Sequence, residues 1–171
     1  MAVEKRLMHY ASFDTQSSEE STSAPSTEKQ LILARELKAE CEKLGFDSVE
    51  LTDTGIVYAY LNANTDKKMD RIGFIAHMDT VSDYCDHDIK PMITENYDGE
   101  ALALGESELV LSPEMFPHLK SLKGRTLITS DGTTILGADD KAGIAGILTM
   151  VERLKTQSIP HGPLCIAFTP D

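Results

Sequence analysis

The chain has 171 residues, enough for a domain with its own core, and 41% of them are hydrophobic. Asp and Glu number 28 against 16 Lys and Arg, a formal net charge of −12 that repels phosphate backbones and argues against nucleic acid as a partner. No apolar run approaches the ~20 residues that span a bilayer, so no membrane partner is expected. The N-terminal MAVEKRLMHYASFDT lacks the long apolar core of a secretory signal, so a cytoplasmic protein is expected. Cys41, Cys85 and Cys165 are widely spaced, form no CxxC pair and read as reduced thiols.

Residues 3–12 carry a short helical pattern with Leu7, Met8 and Ala11 apolar. The Ser/Thr-rich stretch 12–28 reads as loop. Thr27 and Gln30 have the spacing of a capping box, and Leu33, Leu37, Cys41 and Leu44 then recur on one helical face up to Gly45, a stop residue. SVEL and IVYAYL around Asp53-Thr54-Gly55 predict a hairpin. The apolar run Ile72–Ala76 predicts a buried strand of a partly parallel sheet.

Residues 82–125 mix loop and short strands around Pro91, Pro113 and Pro117, and TLIT at 126–129 is a further short strand. A helix begins near Asp139, with Ile144, Ile147, Leu148, Val151 and Leu154 on one stripe, and LCIAF at 164–168 returns as a strand. Strand, helix and strand in 126–168 form a βαβ-like unit and place the chain in the α/β class. Thr-Pro-Asp follows the last strand, and Asp171 is expected to fray.

Two stretches could carry chemistry. His77 and Asp79 stand where the strand 72–76 runs out, the end at which α/β sheets collect ligands. An imidazole there suits a divalent metal, and a nearby carboxylate can hold the ring through its other nitrogen. A strand-end His capped by Asp accounts for the same spacing. In GADDKAG, Asp139 and Asp140 stand at a helix start, where carboxylates satisfy free N–H groups. Capping accounts for one of them better than for both; an Asp here could instead bridge two cations, with Lys141 partly offsetting the charge. Gly143 and Gly146 disfavour a helix interior and point to something approaching closely. The crowded Asp83, Asp86, His87 and Asp88 read as a solvated acidic loop. His118 and His161 beside prolines have no partner pattern, and Ser112 and Ser130 lack the context of a nucleophile.

"YASFDTQS", "PSTEKQ", "IGFIAHMDT", "ENYDGE", "LSPEMFP", "LITSDGTTILGADDKAGIA" and "IPHGPLCIAFTPD" together resemble the tripeptide aminopeptidases of the M20 metallopeptidase family, in order and over nearly the whole chain. The resemblance implies the N-terminal part of a zinc-exopeptidase catalytic domain, with a mixed, mostly parallel sheet flanked by helices. It implies two Zn2+ per complete site, a tripeptide substrate and full-length homodimers. His77 matches a zinc ligand, Asp139 the carboxylate that bridges both zincs, and Asp79 the catalytic-site residue that orients His77. In the family, a general-base Glu and a ligand Glu follow FTPD, further Asp and His ligands come later, and an inserted lid domain makes the dimer contacts. None of these lies in residues 1–171, so a partial catalytic domain, inactive alone, is expected. Gly146 stands where the family pattern would place an acidic residue. Two alternatives stand beside this reading: a relative acting on other peptides or N-acyl amino acids, and a non-catalytic metal-binding remnant.

Overall fold

The computed structural model describes residues 1–84 and 88–171. Cys85, Asp86 and His87 lie outside the described residues, and with them the centre of the expected acidic loop. The chain divides into two units, residues 1–82 with 137–171 and residues 83–136.

The first unit begins with α1 (Val3–Ala11) and α2 (Lys29–Leu44). α1 buries Arg6, Tyr10 and Ala11 rather than Leu7 and Met8. α2 buries Leu33, Ala34, Leu37 and Cys41, the predicted face, and stops at Gly45 in the left-handed conformation (φ 77°), which costs a glycine little. The predicted capping box does not form. The N-cap is Glu28 without a side-chain cap; the Thr27 hydroxyl donates instead to the Gln16 carbonyl (2.6 Å), and the Gln30 amide donates to Asp171 (2.8 Å). Those competing partners take the groups that would have closed the box.

β1 (Ser48–Leu51) and β2 (Val57–Leu61) form the expected antiparallel hairpin, Val49 opposite Ala59. β3 (Ile72–His77) and the last strand, β8 (Leu164–Thr169), complete a four-stranded sheet of order β1-β2-β8-β3. β2 pairs with β8 antiparallel and β3 pairs with β8 in parallel, His77 opposite Thr169. The sheet is mixed, as expected, but within it antiparallel pairing prevails over parallel. β3 is an edge strand and not the buried strand its apolar run predicts: Ile75 is 73% exposed.

α3 (Ala138–Thr156) precedes β8 and buries Lys141, Ile144, Ala145, Leu148 and Val151. Inward residues of the sheet, Val57, Ala59, Leu61, Ala76, Leu164, Ile166 and Phe168, meet the helices in one core. Strand alternation turns Tyr58, Tyr60 and Cys165 the other way. The parallel crossover therefore runs from β3 through α3 to β8. It does not start from the strand at 127–129, as a local βαβ reading of 126–168 predicts.

That strand belongs to the second unit. There β4 (Met92–Thr94) pairs antiparallel with β7 (Leu127–Thr129), and β5 (Leu102–Ala103) with β6 (Val110–Leu111). A 3-10 helix over Pro117–Leu122 buries Leu119, and Tyr97 is buried with its hydroxyl on the Glu100 carbonyl. Among the described residues no helix is long and apolar enough to cross a membrane. Cys41 and Cys165 are free thiols. Burial pushes the Cys41 thiol up to about 12, the neighbouring Glu40 adding to it, so Cys41 is an inert core residue.

Candidate metal centre

β3 and β8 run parallel, so their carboxyl ends lie side by side, and His77 is the last residue of β3. The Met78 amide donates to the Thr169 carbonyl (2.8 Å) and carries the pairing one step past the strand. On its other side the tail of β3 pairs with residues 15–17: the Thr80 amide donates to the Thr15 carbonyl (3.0 Å) and the Ser17 amide to the Thr80 carbonyl (2.8 Å). The segment 77–80 is thus held from both flanks by backbone bonds, and the His77 ring stands on a rigid base.

The second arm comes from the start of α3. Asp139 (φ −93°, ψ 107°) and Asp140 (φ −118°, ψ 34°) are not helical; the regular helix begins after them. The Gly143 amide donates to Asp140 Oδ1 (3.0 Å), so Asp140 is the N-cap three residues ahead of its partner. A side chain at Gly143 would meet Asp140 Cγ at 2.8 Å. The close neighbour that Gly143 admits is therefore its own cap. Among the described residues, nothing beyond its own helix lies within 4 Å of a side chain placed at Gly146, so no such close neighbour is seen there.

Asp140 being occupied, Asp139 is the carboxylate left to face outward; its side chain is 93% exposed. Asp139 Oδ1 lies 3.0 Å from His77 Nε2, across 62 positions of sequence. The other ring nitrogen, Nδ1, lies 3.2 Å from the Asp79 carbonyl oxygen and 3.3 Å from Asp79 Oδ1. Burial pulls the His77 pKa down, but the hydrogen bond to Asp139 and the charge of Asp79 outweigh it, and the net shift is upward. Nδ1–H can donate to Asp79 while Nε2 faces Asp139.

The pair offers one nitrogen and one carboxylate from separate elements, converging on one point. That is part of the donor set that borderline divalent cations such as zinc accept, and the residues present fit such an ion as far as they go. Among the described residues no group of three or more His, Cys, Asp and Glu side chains forms a complete cage.

Of the other sequence candidates, His161 bonds its neighbouring Gly162 carbonyl (2.8 Å) away from the centre, and His118, in the second unit, packs edge-on against Phe116. Lys141 follows the two aspartates in sequence. It is fully buried and donates to the Phe13 carbonyl (2.7 Å). Asp171 is not frayed: its carboxylate accepts from the Ser26 amide (2.9 Å), the Ser26 hydroxyl and the Gln30 amide (2.8 Å).

No protein-family profile matches the chain. Individual proteins do. It is 54% identical over 171 residues to Peptidase T of Caldanaerobacter subterraneus subsp. tengcongensis, covering 99% of this chain and 42% of that protein. Peptidase T of Desulfitobacterium hafniense is 52% identical over 172 residues, again with 99% and 42% covered. Among solved structures, aminopeptidase PepT from Bacillus cereus superposes with a TM-score of 0.66 at 28% identity, over 98% of this chain and 35% of that one. A tripeptidase from Staphylococcus aureus has the same fold, with a TM-score of 0.65 at 24% identity, over 98% of this chain and 35% of that one. The chain thus spans about two fifths of the length of the curated relatives it matches. Along nearly all of its length the chain is similar in sequence to these peptidase T proteins, and its fold is similar to that of aminopeptidase PepT.

Proposed function

We propose that this chain forms the metal-proximal part of a zinc-dependent aminopeptidase that releases the N-terminal residue of tripeptides. The observation that carries the proposal is the 3.0 Å approach of His77 Nε2 to Asp139 Oδ1 at the carboxyl end of β3. Its likeness to Peptidase T supplies the reaction class.

In this reading His77 ligates through Nε2. Asp79 holds the proton at Nδ1, which fixes the tautomer, leaves the Nε2 lone pair for the metal and makes the ring more basic. Asp139, with its exposed carboxylate, can offer one oxygen to each of two cations. Asp140 stays out of the site as a helix cap and so sets the direction in which Asp139 points. Two zinc ions, when bound, supply Lewis-acid polarisation and lower the pKa of water towards ~7. The remaining donors and the general base come from sequence outside residues 1–171. The enzyme is cytoplasmic and dimeric in this proposal, on the strength of the resemblance alone.

The test is release of the N-terminal residue from a tripeptide with added zinc. It compares the 171-residue chain with a version extended to the length of its relatives. Catalytic zinc usually takes three protein ligands plus water, and a positioned base contributes about 10²–10⁴-fold, so only the extended version should turn over. Equal rates from the two would show the catalytic groups to be misplaced; no cleavage by either would refute the reading.

A further inference from the structure

We infer that Lys141 is a positioning residue for the His77–Asp139 centre, an inference that rests on the metal reading above. Lys141 stands two residues after Asp139 and is fully buried, a rare state for a lysine without partners. Its Nζ donates to the Phe13 carbonyl (2.7 Å), 128 positions away in sequence. Phe13 opens the segment whose residues 15–17 clasp Thr80 through three hydrogen bonds, two of them backbone to backbone and the third from Ser17 Oγ to the Thr80 carbonyl (3.1 Å). Thr80 directly follows Asp79.

Gly137, which leads into Asp139, closes the circle. It has φ 70°, and a side chain there would meet Thr80 Cγ2 at 3.0 Å and Lys141 Nζ at 3.3 Å. The three strands of chain that bear or brace the site, 13–17, 77–80 and 137–141, therefore converge near the buried Lys141 Nζ. Without it the Phe13 carbonyl loses its donor from Lys141, and the junction loses the tie between the arm carrying Asp139 and the clasp on the arm carrying His77. The two donors then share no fixed frame.

The 171-residue chain with Co(II) as probe tests this. Calorimetric titration reads Co(II) affinity, and long-range 1H–15N spectra of histidine-labelled protein read both ring nitrogens of His77, assigned with His77→Ala. Lys141→Met should weaken Co(II) about tenfold, the range of losses for residues that orient ligands, and should shift the His77 ring resonances. Leu37→Ala, a core truncation in α2, should lower the melting temperature without moving either readout. If Lys141→Met does not fold, Lys141→Gln, which keeps a neutral donor on a shorter side chain, should show the same two changes in smaller measure. Unchanged His77 resonances and affinity in a folded Lys141 variant would leave Lys141 a packing residue and overturn the inference. Co(II) binding that His77→Ala does not weaken would count against the metal reading instead, and the ring resonances would still decide the role of Lys141.

Discussion

Arg6 offers the sharpest test of what holds the helical layer together. Its side chain is 2% exposed and reaches two other helices. Within α1's reach, Nε and Nη2 donate to Glu40 Oε1 of α2 (2.8 and 2.7 Å), and Nη1 donates to Thr149 Oγ1 (2.9 Å) and Glu152 Oε2 (3.0 Å) of α3. Arg6→Met keeps much of the volume and removes every donor. Breaking a fully buried pair costs about 3–5 kcal/mol. The carboxylates are 15% and 26% exposed and can regain water in part, and Tyr10 still donates to Glu40. The low end, about 3 kcal/mol, is therefore expected, or roughly 6–12 °C in melting temperature for a chain of this length. Adding Glu40→Gln relieves one stranded charge, so the double variant should recover about 1–2 kcal/mol of the loss. Urea titration followed by circular dichroism reads both. A loss below about 1 kcal/mol for Arg6→Met, or strict additivity in the double variant, would refute the view that this guanidinium pins the three helices.

Asp79→Asn in the extended protein should lower turnover far more than zinc content, measured by metal analysis; loss of both zincs would make Asp79 a ligand. Gly143→Ala sets about 1 kcal/mol of helix propensity against a cap worth about 0.5–2 kcal/mol, so the net stability change should be small. The displaced Asp140 should still show itself as a shift of the His77 ring resonances; unshifted resonances would mean that the cap does not aim Asp139. Burial pushes the Asp171 carboxyl up, but its bonds from Ser26 and Gln30 prevail and hold it below its ordinary 3.8. A depressed folded pKa gives stability that is full above the unfolded value and fades as pH falls through the folded one. Asp171→Asn should therefore shrink the pH dependence of stability below about pH 4; an unchanged acid limb would show the clasp to be weak.

α2 was legible because Leu33, Leu37 and Cys41 repeat at helical spacing up to a glycine, and the hairpin because Asp53-Thr54-Gly55 separates two β-rich runs. The place of β3 was not. An apolar run reports that a strand buries something, whereas its rank in the sheet depends on which distant strand pairs with it, and β8 pairs on only one side of β3. That His77 and Asp139 approach each other followed from family likeness and not from either stretch alone. The burial of Lys141 was not legible from its neighbours in sequence, which are aspartates. Its neighbours on the helix are Ile144 and Leu148, three and seven residues on, and that spacing places it on the buried stripe. Arg6, four residues before buried Tyr10, carries the same signal. A charged residue in register with an apolar stripe predicts a buried ion with a distant partner.

The rank of β8 has a consequence for the order of events during synthesis. It lies between β2 and β3, yet it is made after both. Roughly a hundred residues separate the end of β2 from the start of β8, and at 5–20 residues per second the ribosome needs about 5–20 s to supply them. Until then the hairpin and β3 have no shared neighbour, and each carries unpaired backbone edges. The sheet can close only by insertion of β8 between two waiting edges. The nascent chain should accordingly be a client for chaperones that shield strand edges, and slowing translation within residues 62–163 should lower its soluble yield.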